Sequence, residues 1–138
     1  MLSYAARIKK EADGYVVTFP DFENVMTYGL TMEEALLNAE EALNGCLESD
    51  FERNFKIPEP CHISGKNVHQ IPVAPHVAVA IMLRTLRAER SQMEIAKQLN
   101  IAYQVYQRLE NPRKANPTIK TLEKIAKVFG RRVELGFI

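Results

Sequence analysis

Cysteine is scarce: Cys46 and Cys61 are the only two in 138 residues, and no Cys-x-x-C pair is present. That excludes a disulfide framework and a thiolate zinc site, and it fits reduced thiols in a cytosolic protein. Long apolar runs are missing too. No stretch reaches the roughly 18 residues of a membrane-spanning helix, and the opening residues MLSYAARIKKEADGY carry charge where a secretory signal needs an apolar core. A cytoplasmic location without membrane contact is expected. The six glycines form neither a phosphate-cradling loop nor a nucleophile elbow. His62, His69 and His76 recur at a spacing that matches no metal motif. No metal and no cofactor are therefore expected.

What is present is a chain with 46% hydrophobic residues, enough to bury one ordinary core or two small ones. Its net charge of +1 conceals a division: residues 1–72 sum to −6 and residues 73–138 to +7. An acidic half and a basic half suggest two partners, a cationic one for the first and phosphates for the second.

The first half reads as strands and one helix. Leu2 to Lys9 can place Tyr4, Ala6 and Ile8 on one face, and the turn Ala12-Asp13-Gly14 leads into an alternating run through Tyr15, Val17 and Phe19. Val25 to Tyr28 is a short third strand. Thr31 with Glu34 three residues on is a helix-start pattern. Ala35, Leu36, Ala39, Ala42, Leu43, Cys46, Leu47 and Phe51 then recur at three- and four-residue steps as one apolar stripe, with Glu33, Glu40, Glu41, Glu48 and Glu52 on the other side. The loop IPEPCHISG precedes a fourth strand at Val68 to Val73.

Pro75 marks the expected boundary, followed by a helix from His76 to about Glu89. In Ser91 to Asn111 the residues Ile95, Ala96, Leu99, Ile101, Tyr106 and Leu109 fall where two helices joined by a tight turn would share a core. Asn100 stands where that turn wants a left-handed backbone. Thr118 opens a last helix that Gly130 stops, and Arg131 to Ile138 alternates as a closing edge strand that could pair between subunits. The expected class is α+β: a βββαβ domain in residues 1–73, then an all-α domain in residues 74–138 with a short C-terminal strand.

SQMEIAKQLNI, YQRLEN and TLEKIAKVFG resemble the XRE-type helix-turn-helix domain of phage repressors and Cro, over residues 76–130. Asn100 and Pro112 depart from it, each standing where that family usually has glycine. The resemblance implies binding to operator DNA. It places Gln92 on a phosphate, Tyr103, Gln104 and Arg108 at base-reading positions with Gln107 beside them, and Arg113 and Lys114 on backbone phosphates. The chemistry agrees: Gln pairs bidentately with adenine and Arg with guanine. Such domains read paired half-sites, so a homodimer or homotetramer is expected.

The stretch FPDFENVMTYGLTMEEALLNAEEAL is similar to the HicB antitoxin family, through Phe19-Pro20-Asp21, Gly29 with Thr31, Glu33-Glu34-Ala35 and Asn38. FENV replaces that family's usual Leu-Pro-Gly-Cys-like turn. This resemblance implies a partial ribonuclease-H-like fold and, as partner, a small basic HicA-type toxin that cleaves mRNA. Asp13, Asp21 and Asp50 are not grouped as a two-metal site requires, so the chain is expected not to be an enzyme. The alternative reading is a repressor whose N-terminal half senses a small molecule.

Overall fold

The computed structural model describes residues 2–138, which group into two compact units divided between Val77 and Ala78. In the first, β1 (Ser3–Glu11), β2 (Gly14–Phe19) and β3 (Phe22–Gly29) form an antiparallel meander. After α1 (Met32–Glu52), β4 (Val68–Pro72) returns to pair with β1, giving the order β3-β2-β1-β4. This is the βββαβ order expected. Ile8 stands opposite Val17, and Tyr4 opposite Ile71, so their side chains share the face where they are buried with Ala6 and Phe19. The stripe expected on α1 supplies the rest: Ala35, Ala39, Leu43, Leu47 and Phe51 are buried, while Leu36, Ala42 and Cys46 flank them half-buried. Each fully buried leucine contributes about 1.5–3 kcal/mol of transfer free energy.

The third strand is longer than its alternation suggested. Pro20 and Asp21 make a tight turn, and Phe22 pairs with Phe19 across an irregularity in the register. Phe22 therefore enters the core, edge-on to Tyr4 with ring centroids 5.0 Å apart. FENV is the start of a strand, not a loop.

Gly29 is the tightest point of the unit. A Cβ there would collide with the backbone of Ala35, so only glycine lets β3 pass so closely beneath the first turn of α1.

α2 (Pro75–Arg87) begins in the first unit and runs into the second, which adds α3 (Gln92–Leu99), α4 (Tyr103–Leu109) and α5 (Ile119–Val128). Leu83, Ile95, Ala96, Tyr106, Leu109 and Ile125 form its buried cluster, with Val79, Leu99, Ile101, Val128 and Phe129 packed around it. Asn100 takes the left-handed backbone, φ 57° and ψ 44°, and closes α3.

One expected element is not formed. Residues 131–138 carry no strand: alternation alone forms none without the hydrogen bonds of a paired neighbour, and this segment is paired with none. Val133 and Leu135 instead line an apolar groove with Met82, Leu86, Leu122 and Phe129, while Phe137 and Ile138 are wholly exposed.

Candidate DNA-binding surface

The helix-turn-helix is held by its caps and by one buried ion pair. Ser91 caps α3, its hydroxyl accepting from the Glu94 amide at 3.0 Å. Past Asn100, the Ile101 amide returns to the Ala96 carbonyl at 3.0 Å, which fixes the turn into α4. Tyr106 and Leu109 point into the core as expected. That turns positions 103, 104, 107 and 108 outward, where the spacings of three and four between 103 and 107, 104 and 107, and 104 and 108 make them one patch. Tyr103, Gln104, Gln107 and Arg108 are all exposed on this face, and Val105, also exposed, lies among them in sequence.

Arg113 and Lys114 are exposed in the loop that follows. Asn111 shapes that loop, its side-chain carbonyl accepting from the Arg113 amide at 3.0 Å and its backbone carbonyl from the Lys114 amide at 3.1 Å. Pro112, which departs from the helix-turn-helix pattern, is fully buried there. Thr118 caps α5 by accepting from the Thr121 amide.

Gln92 is half-buried and already bonded. Its amide nitrogen donates to Glu110 Oε1 at 3.2 Å, and its carbonyl oxygen faces the Tyr103 hydroxyl at 3.5 Å. Sequence reasoning missed the reason, which is Glu110. This carboxylate is 3% exposed and takes two parallel bonds from Arg87, Nε at 2.7 Å and Nη2 at 2.8 Å. Arg87 Nη1 also donates to the Arg90 carbonyl at 2.8 Å. The end of α4 is thereby clasped to the end of α2 and the start of α3.

Burial works to raise the Glu110 pKa. The bonds from Arg87 and Gln92 outweigh it and hold the carboxyl below its ordinary range. The Tyr106 hydroxyl is buried beside the pair without full hydrogen-bond geometry to either group; burial and the neighbouring carboxylate push its pKa up, so it stays neutral. A spacing of 23 residues between Arg87 and Glu110 leaves no local sequence signal.

The motifs of the first unit also have structural roles. Asp21 accepts from the Cys61 amide at 3.1 Å, and the Tyr4 hydroxyl donates to the Pro58 carbonyl at 2.6 Å; together they pin the loop between α1 and β4. Asn38 donates to the Tyr28 carbonyl at 2.7 Å, joining α1 to β3. Thr31 caps α1, and Glu34 reaches back to the Leu30 amide at 3.1 Å. Among the described residues, no group of three or more His, Cys, Asp or Glu is placed to hold a metal ion.

A model of the HicB-like antitoxin of bacterial toxin-antitoxin systems matches residues 3–80, the part these motifs build. The chain belongs to the HicB-like antitoxin family. A helix-turn-helix model matches residues 83–135. Antitoxin HicB 1 of Photorhabdus laumondii is 33% identical over 91% of this chain and 80% of its own length. Antitoxin HicB of Escherichia coli strain K12 is 32% identical over 91% of each. Both matches extend over the two units of this chain. No helix among the described residues is long and apolar enough to cross a membrane.

Proposed function

We propose that this HicB-like chain neutralises a small, basic, mRNA-cleaving toxin of HicA type through residues 1–73. Through residues 74–138 it binds the operator DNA of its own operon as a repressor. In this reading it acts in the cytoplasm and is not an enzyme. Tyr103, Gln104, Gln107 and Arg108 read base edges in the major groove, while Arg113 and Lys114 meet phosphates. Gln92 contacts a phosphate while remaining anchored on Glu110.

The observation that carries the reading is the outward face of α4. A Tyr-Gln-Gln-Arg patch lies on the second helix of the motif, within the half of the chain that sums to +7. It is joined to an antitoxin-family half that sums to −6 and suits a cationic partner. Dimerisation supplies two such helices to a palindromic site. Residues 131–138, unpaired in one chain and apolar at Leu135, Phe137 and Ile138, are the segment that pairs between two copies.

Co-expression tests the antitoxin role. The small basic protein encoded next to this chain's gene arrests growth when expressed alone, and this chain relieves the arrest. Persistent arrest refutes the reading. Footprinting on the DNA upstream of the pair shows a palindrome if the chain is its repressor.

A further inference from the structure

In the outer face of α1, Leu37 stands alone as an exposed leucine, 61% accessible, and its four helical neighbours at positions 33, 34, 40 and 41 are all glutamate. Glu34 is fixed, because its carboxylate binds the Leu30 amide at 3.1 Å. Leu30, 64% accessible, is thereby held beside the same carboxylate that flanks Leu37. Glu34 thus binds the backbone of Leu30 and lies one turn from Leu37, with Glu33, Glu40 and Glu41 as the other helical neighbours of Leu37. These three glutamates form no ion pair within the described residues. No lysine or arginine occurs anywhere between residues 11 and 52 to neutralise them.

The core gains nothing from Leu37. The stripe that buries α1 runs through Ala35, Ala39, Leu43, Leu47 and Phe51, away from Leu37. A protein contact does use it: an apolar anchor at the centre becomes desolvated, and a ring of charge around it excludes water and selects a partner of opposite sign. We infer that Leu37 and Leu30, ringed by Glu33, Glu34, Glu40 and Glu41, are the docking surface for the cationic toxin. The inference rests on the antitoxin reading above and adds the residues that carry it. A second copy is a poor occupant, since two such rings meeting about a two-fold axis bring four glutamates against four.

Leu37→Lys separates binding from folding. A lysine at this position gains favourable partners four residues away on both sides, Glu33 and Glu41, so α1 is retained and the melting temperature holds or rises. In the full-length chain, calorimetric titration with the basic protein encoded by the adjacent reading frame shows a Kd weakened about thirtyfold or more. The double substitution of Glu33→Gln with Glu41→Gln, which keeps Leu37, slows association at low salt and removes most of its salt dependence. If Leu37→Lys binds as tightly as the parent chain, the surface is elsewhere and the antitoxin reading stands. If the parent chain itself does not bind, both fall. If Leu37→Lys changes the sedimentation of the chain alone, a second copy is the occupant and the inference is overturned.

Discussion

Between Tyr4 and Val77 the buried side chains of the first unit are hydrophobic in type, Val17 and Ile71 on the sheet meeting Leu43 and Leu47 on α1. The second unit buries the Glu110 carboxylate, 3% exposed, against Arg87, Gln92 and Tyr106. The first unit keeps its polar ties at the rim, where Asp21, Asn38 and Asn44 bond backbone groups of the chain they hold; the Asn44 carbonyl, for example, accepts from the Ala74 amide at 2.8 Å. The second unit places its strongest tie inside. Four-stranded pairing already fixes the geometry of a sheet and its helix, whereas short helices such as the seven residues of α4 have no ladder to orient them. A bidentate ion pair supplies a direction that apolar packing does not. Its net contribution to stability is small, because burying two charges offsets most of their attraction. Its role here is to set where α4 points.

Removing one partner breaks that contrast most severely. Glu110→Ala leaves the Arg87 guanidinium with its carboxylate gone and costs about 3–5 kcal/mol. Replacing both, Arg87→Met with Glu110→Leu, restores most of the stability in chemical denaturation yet weakens DNA binding, because α4 loses its clasp. A double variant that binds DNA as the parent does would show that packing alone orients the helix. Acid tests the same pair. The folded Glu110 pKa lies below its ordinary 4.5, so the stabilisation is complete above that value and is lost as the pH falls through the lower folded pKa. Denaturation of the second unit followed from pH 7 down to pH 3 shows no loss from this group until the acid end.

The DNA surface is sharpened by Arg108. Arg108→Ala weakens operator binding by about 1–3 kcal/mol and relaxes preference at one base pair. Lys114→Ala weakens all sequences alike and reduces the salt slope by about one. Equal weakening of every sequence by Arg108→Ala would place that guanidinium on a phosphate.

Local patterns made much of this legible. Period-two and helical spacing marked the core of β1, β2 and α1, and the αL turn at Asn100 followed from the residue type that tolerates it. The base-reading positions of α4 came from the helix-turn-helix resemblance, and the inward assignment of Tyr106 and Leu109 agrees with their facing outward. Three features depend on pairing that residue pattern alone does not announce. Phe22 becomes a strand residue because Phe19 pairs with it across a two-residue turn. Glu110 is buried because Arg87, 23 residues earlier, meets it. Residues 131–138 alternate like a strand, but alternation does not supply an edge to pair with.

The helix caps carry the smallest effects and the sharpest control on the contrast between units. Thr31 on α1 and Ser91 on α3 do the same work: each hydroxyl accepts an amide hydrogen bond three residues on, at 3.1 Å and 3.0 Å. Substituting either by alanine leaves one amide at a helix start without its partner and costs about 1 kcal/mol. Thr31→Ala has a second support that Ser91→Ala lacks, because Glu34 still holds the Leu30 amide and the chain entering α1 stays in place. Hydrogen exchange therefore reports a smaller loss of protection in the first turn of α1 than in the first turn of α3. If the order is reversed, the Glu34 bond does not stabilise the entry to α1.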